Sequence, residues 1–195
     1  MAQHWRTLQQ VWNDHKYERR RPVLPNDVVV DAGAHIGTFT VKAAARALRV
    51  YAFEPEHENY EFLELNTGRC GNVKIQRKAL WSANGKAWLN VSRDDLNHSL
   101  LVAEGESYVG RELVETVRLD DAVDDRVDFL KVNAEGAELE IFKGAHRTLA
   151  SYKPYIAAEI GNEEMFQDAV ALLRRYGYNP RTASPNRQYG VTFFE

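Results

Sequence analysis

Val28-Val29-Val30-Asp31-Ala32-Gly33-Ala34-His35-Ile36-Gly37, followed by Tyr51-Ala52-Phe53-Glu54-Pro55, decides the fold. A β-branched apolar run ends in a carboxylate and a glycine turn, and a helix-forming segment begins at once. A second apolar run then ends in a second carboxylate. Strand, tight turn and helix in this order place backbone N–H groups, a helix start and two acidic side chains at one edge of a parallel sheet. That arrangement suits a ligand bearing an adenosine.

The rest of the chain continues the alternation. Residues 38–48 read as a helix with Val41, Ala44, Ala45 and Leu48 on its apolar face. Residues 50–53 form the next strand and 56–65 the next helix, acidic at its N-terminal end. Residues 73–77 and 88–91 are strand-like, with an Asn84-Gly85 turn between them. Residues 127–132, 155–160 and 190–194 are further strands. Leu139, Phe142, Ala145 and Leu149 line a helix that stops before Pro154. Asn162 is an N-cap for a helix closing near Tyr176, with Gly177 just beyond. The pattern is that of one doubly wound α/β domain over residues 25–195. Residues 1–24 stand apart. Residues 4–21 read as one polar helix with Trp5, Leu8, Val11 and Trp12 at helical spacing and a basic end, Lys16, Arg19, Arg20 and Arg21. Its bland reading is a helix that packs its tryptophan stripe on the domain. The sharper one is an amphipathic lid, or an arm contacting phosphate.

Composition narrows the class. At 195 residues, 44% hydrophobic and 27% charged, the chain has the make-up of a soluble globular domain, which points to the cytoplasm. A net charge of −3 gives no whole-chain reason for nucleic-acid binding, and no apolar run is long enough to cross a membrane. The single cysteine, Cys70, cannot make an intrachain disulfide. No pair of histidines has metal-ligand spacing, so no metal site is expected.

Three constellations carry chemistry. In Asp31-x-Gly33-x-x-x-Gly37, His35 stands where a dinucleotide fingerprint has glycine, which argues against a nicotinamide cofactor. Asp31 before the first glycine suits a positively charged ligand end, such as the α-amino group of S-adenosylmethionine. Ala34 and His35 shape the same loop. Glu54, about twenty positions on, can accept both hydroxyls of a ribose and is expected to serve the ligand rather than the core. The third is Asp128-Phe129-Leu130-Lys131-Val132-Asn133-Ala134-Glu135-Gly136-Ala137-Glu138, leaving the fourth strand beside the first. Lys131, Asn133 and Glu135 are more polar groups than a strand end needs. Glu138 reads equally well as an ordinary acidic helix start. His98, in an irregular polar stretch at 92–110, is a second candidate base.

Taken together, Asp31-Ala-Gly-Ala-His-Ile-Gly37, Phe53-Glu-Pro55 with Asn66, Lys78-Ala-Leu80, Leu119-Asp-Asp121, Lys131-Val-Asn-Ala-Glu-Gly-Ala-Glu138 with Lys143-Gly-Ala145, and Pro154 with Glu159 resemble the FkbM family of S-adenosylmethionine-dependent methyltransferases. The resemblance implies a Rossmann-like sheet of seven strands in the order 3-2-1-4-5-7-6, the last antiparallel. It implies methyl transfer to an oxygen of a small acceptor, releasing S-adenosylhomocysteine. In that scheme Asp31 and the backbone of residues 33–37 hold the amino-acid end of the cofactor. Glu54 and Pro55 take the ribose, and Ala79 and Leu80 frame the adenine. Asn133 borders the cofactor, and Glu135, Lys131 and Asn133 face the acceptor, with residues 92–110 covering it. One departure stands out: the family usually has Asp where this chain has Asn133, and an amide cannot act as a base. Two other readings stay open, N-methylation of a peptide, protein or nucleic acid, and cofactor binding without catalysis. Oligomeric state is open as well.

Overall fold

The computed structural model describes residues 2–92, 98–100, 108–182 and 190–195. Helix α1 (Ala2–Trp12) precedes strand β1 (Val28–Ala32), helix α2 (Thr38–Ala44), strand β2 (Arg49–Phe53), helix α3 (His57–Thr67) and strand β3 (Val73–Gln76). Three strands outside that rhythm follow, β4 (Ala79–Leu80), β5 (Gly85–Ser92) and β6 (Tyr108–Val117). The alternation resumes with α4 (Leu119–Ala122), β7 (Phe129–Val132), α5 (Glu138–Lys143), β8 (Tyr155–Glu159), α6 (Glu163–Arg174), β9 (Pro180–Thr182) and β10 (Val191–Phe194).

The main sheet has seven strands in the order β3-β2-β1-β7-β8-β10-β9, parallel except that β10 runs antiparallel to both neighbours. Counted along the chain within this sheet, that is 3-2-1-4-5-7-6. A second, three-stranded sheet, β4-β6-β5, lies outside the expected order. It absorbs both ends of the stretch at 92–110 expected to be irregular, since β5 runs to Ser92 and β6 starts at Tyr108. Residues 93–97 and 101–107, expected to cover the acceptor, lie outside the described residues. Strand β6 was invisible in the sequence because its apolar residues Val109 and Leu113 face solvent, leaving no clean alternation.

Period-two alternation sorts the central strands onto two cores. Val30, Ala32, Leu130, Val132, Ile156 and Ala158 pack against Ile141 and Phe142 of α5 and Val170 and Leu173 of α6. On the opposite face Val29, Phe129, Ala157 and Phe193 meet Phe39 and Ala43 of α2 and the N-terminal residues Val11, Tyr17 and Val23. An aromatic ladder crosses this second core, Tyr17–Phe39–Phe129–Tyr155–Phe193, with centroids 5.2–5.9 Å apart.

Several sequence readings need correction. The first helix ends at Trp12 rather than Arg21: Asn13 and Asp14 favour turns, and His15 adopts a left-handed φ of 50°. Its stripe is not packed on the domain, because Trp5, Leu8 and Trp12 are 69, 43 and 41% exposed and only Val11 is buried. Helix α2 is shorter than expected and rotated. It buries Phe39, Thr40 and Ala43, while Leu48 beyond it is exposed, because the bulky Phe39 takes the place in the aromatic ladder. The helix expected to run through Leu149 breaks after Lys143 and resumes as a π-helical turn at Thr148–Tyr152. The Asn162 cap holds, its side chain accepting from the Met165 N–H at 2.8 Å.

Candidate active site

A cleft of about 490 Å³ opens at the C-terminal ends of β1, β2 and β7, where a doubly wound sheet changes direction. Its walls include Ala32, Gly33, Ala34, His35, Glu54, Pro55, Ala79, Leu80, His98, Lys131, Asn133 and Glu135, nearly the whole set expected from sequence. The size is that of an ordinary small-molecule site.

Two expected ligands are absent from its walls, Asp31 and Gly37. Register explains Asp31. It lies directly opposite Lys131 on β7, both on the second-core face, flanked in register by the small Ala52 and Ala157. The two pair at 2.8 Å with side chains 0 and 5% exposed, and the Thr40 hydroxyl donates to the other Asp31 oxygen at 2.6 Å. Asp31 therefore has no free face for a ligand amino group. Lys131 is equally committed. Its Nζ also donates to the carbonyls of Ala32 and Gly33, at 3.3 and 2.6 Å, and lies over the Tyr17 ring. Instead of facing an acceptor freely, it braces the glycine loop from beneath.

The loop itself turns its donors inward. The N–H groups of Gly33 and Ala34 both donate to Phe53 O, that of His35 to Glu54 Oε2 at 2.8 Å, and that of Gly37 to Ala34 O. Four of the five N–H groups of residues 33–37 are thus spent within the protein, on Phe53, Glu54 and Ala34. Gly33 has to be glycine: at φ 72° a Cβ would lie 1.9 Å from Asn133 O. Gly37, at φ 88°, would put a Cβ 2.8 Å from Leu63 Cδ1 and is a packing position rather than a ligand position.

Glu54 does reach the cleft, but it serves the fold as well. Its oxygens accept from the N–H groups of His35 and Glu56, and the residue is buried. Burial pushes its carboxyl up to about 7, against the pull of those two donors. Each oxygen keeps a lone pair for a ribose hydroxyl. Beside it Ala79, Leu80, Leu89 and Ile141 supply an apolar wall. A fixed carboxylate beside an apolar wall suits an adenosine.

The turn after β7 faces the other side of the cleft. Glu135 and Gly136 take left-handed φ values of 46 and 98°, and Glu138 closes the turn by accepting from the N–H groups of Ala134 and Gly136. Glu138 is therefore a structural residue. Ser99 Oγ donates to Glu135 O at 2.6 Å and ties the three-stranded sheet to this turn. The Glu135 side chain is exposed into the cleft. Crowding by protein around its carboxyl, then the charges of Glu138 and Glu159, push it up to about 7 against the lysines 131 and 16. Asn133 donates to the Tyr17 hydroxyl at 3.3 Å, which in turn donates to Glu159 at 3.4 Å, and Lys16 pairs with Glu159 at 2.7 Å. Tyr17, Lys16 and the α1 residues Arg6, Thr7 and Gln10 all line the cleft. Of these only Lys16 stood out in the sequence, as part of the basic end of a candidate lid or arm; Arg6, Thr7, Gln10 and Tyr17 carry no motif and reach the site only through the fold.

His98 also lines the cleft, with Nδ1 accepting from the Ser92 N–H at 3.0 Å. A neutral ring that accepts at Nδ1 carries its proton on Nε2, so His98 offers a donor rather than a base. Among the described residues no group of three or more His, Cys, Asp or Glu could hold a metal ion, and no helix is long and apolar enough to cross a membrane.

The methyltransferase FkbM domain model matches residues 31–180. The chain is 30% identical over 168 residues to the hexuronic acid methyltransferase AglP of Haloferax volcanii, covering 83% of this chain and 67% of that protein. It is 27% identical to part of the AMB antimetabolite synthetase AmbE of Pseudomonas aeruginosa, 87% of this chain matching only 10% of that protein. Among solved structures, the methyltransferase FkbM of Methylobacillus flagellatus KT superimposes with a TM-score of 0.60 at 20% identity, over 90% of this chain. The chain spans 45% of that structure.

Proposed function

Because the chain belongs to the FkbM methyltransferase domain family, we propose that it uses S-adenosylmethionine to methylate a hydroxyl oxygen on a small, sugar-like acceptor. When bound, the cofactor supplies a methyl activated by its sulfonium, leaving as S-adenosylhomocysteine. The carrying observation is that one cleft holds an adenosine-suited half, Glu54 with Ala79 and Leu80, and a second carboxylate, Glu135, on a separate turn.

Glu54 holds the ribose and, through His35, fixes the loop that separates the two halves. Glu135 takes the hydroxyl proton as the new C–O bond forms, a role its carboxyl suits because it sits near 7. Asn133, held by Tyr17, orients the acceptor without exchanging a proton. Since the reactive group arrives with the cofactor, the chain's work is alignment and exclusion of water. The sugar acceptor is favoured by the hexuronic acid methyltransferase among the relatives.

Thermal unfolding with S-adenosylhomocysteine tests the cofactor. At about a hundredfold excess over Kd the protein should gain about 2.7 kcal/mol, and NADH should give nothing. A larger response to NADH would sink the reading. Acceptor class is read from the product mass after incubation with the labelled cofactor and uronic or neutral sugars.

A further inference from the structure

The expected grip on the amino-acid end of the cofactor is missing where the sequence placed it. Asp31 is sealed against Lys131 and Thr40, and the N–H groups of Gly33, Ala34, His35 and Gly37 are all spent within the protein. An aminocarboxylate in this cleft needs other partners, above all a cation for its carboxylate.

Helix α1 offers them. Arg6, Thr7 and Gln10 line the cleft, whereas Trp5, Leu8 and Trp12 on the opposite side of the helix face water. This inverts the usual rule that a surface helix turns its apolar stripe inward. A polar face held over a cleft at the expense of two tryptophans points to a ligand contacted by that face. The cations there are not equivalent. Lys131 is committed to Asp31, Lys16 to Glu159 and Lys78 to Glu115. Arg6 is exposed, and no described carboxylate lies within ion-pairing distance of it. A guanidinium is the side chain best shaped to take a carboxylate through two parallel hydrogen bonds.

The helix is anchored at one end. Its C-terminal end is pinned by Lys42 of α2, which donates to Val11 O at 2.7 Å and pairs with Glu18 at 2.5 Å. Below it Tyr17 is buried in the second core.

We propose that Arg6, supported by Thr7 and Gln10, binds the carboxylate of the cofactor's amino-acid end, so that the bound cofactor latches α1 over the cleft. This rests on the methyltransferase reading and adds the residues that hold one end of its cofactor.

Calorimetric titration with two probes tests it: S-adenosylhomocysteine, which has the aminocarboxylate, and 5′-methylthioadenosine, which lacks it. Arg6→Gln should raise the Kd for S-adenosylhomocysteine about tenfold to a hundredfold, the loss of a charged pair of hydrogen bonds, and leave that for methylthioadenosine unchanged. Amide hydrogen exchange over residues 2–12 should slow with the first probe and not with the second. Equal affinity of Arg6→Gln and wild type for S-adenosylhomocysteine overturns the latch while leaving the methyltransferase reading intact. So does an equal loss for both probes, which would mean that Arg6 only supports the fold. No binding of S-adenosylhomocysteine by the wild type overturns both readings.

Discussion

Two turns of similar composition, residues 31–37 and 133–138, meet across the cleft and use their carboxylates in opposite ways. Both are rich in left-handed residues, Gly33, His35 and Gly37 in one and Glu135 and Gly136 in the other. The first buries its acid, Asp31, under a lysine and folds its donors onto β2. The second closes with Glu138 and leaves Glu135 out in the cleft. An acidic residue beside a glycine turn is thus not a ligand by virtue of its position. What stands in register with it decides. Asp31 has Lys131 as its strand partner, whereas Glu135 lies beyond the last residue of β7 and has no strand partner.

Glu135→Gln probes this contrast most strongly. If the presented acid is the base, the methylation rate should fall about 10²–10⁴-fold while S-adenosylhomocysteine affinity holds. Because its carboxyl titrates near 7, the wild-type rate should drop about tenfold per pH unit below that value and level off above it. A flat pH profile would break the comparison on the side of the 133–138 turn.

Lys131→Met attacks the other turn. It leaves Asp31 charged and buried without its partner, and should cost about 3–5 kcal/mol in urea unfolding. Adding Asp31→Asn should recover much of that loss. Additive losses would mean that the two side chains are not coupled.

Glu54→Ala should be intermediate in both currencies. It should weaken S-adenosylhomocysteine binding about tenfold to a hundredfold, and each N–H group orphaned at His35 and Glu56 should cost about 1–3 kcal/mol. Wild-type affinity with lowered stability would make Glu54 purely a loop residue.

The smallest effect is expected from Asn133→Asp, measured with and without chelator. If Asn133 only hydrogen-bonds to Tyr17 and the acceptor, activity should persist in both conditions, because the described residues of the cleft gather no cluster of hard-cation donors. Loss of activity in chelator, restored by Mg²⁺, would refute this view of the second turn.

The parts of the molecule that were legible in sequence are those encoded locally. Six of the seven main-sheet strands, the Asn162 cap and the carboxylate of Glu54 each show in a run of a few residues, whereas the edge strand β9, only Pro180–Thr182, is too short to carry a pattern. What could not be read depends on register or distance. Asp31 and Lys131 are a hundred positions apart, and nothing in either segment says that they face each other across β1 and β7. Arg6 belongs to a helix whose sequence suggests the opposite orientation, since the tryptophan stripe that ought to be buried faces water, and Tyr17 reaches the site from the turn beyond that helix. Strand β6 hid because two of its apolar residues, Val109 and Leu113, face outward while Val114 faces in, which leaves no clean alternation. His98 shows in the sequence as a candidate base, but its proton position does not. Its tautomer follows from a hydrogen bond with Ser92, which spacing along the chain does not reveal.

The buried pair at the centre of the main sheet has a further consequence, for how the chain finds its fold. Val28–Ala32, Arg49–Phe53, Phe129–Val132 and Tyr155–Glu159 are short, largely apolar strands that could zip together with several offsets. A slip of one residue between β1 and β7 would turn Asp31 and Lys131 to opposite faces, each charge stranded in a hydrophobic layer. The native alignment alone neutralises both. The two side chains thus act as an address label that penalises misthreaded sheets, and a variant with neutral residues at both positions should refold with more trapped, misaligned species even where its final stability is close to that of the wild type.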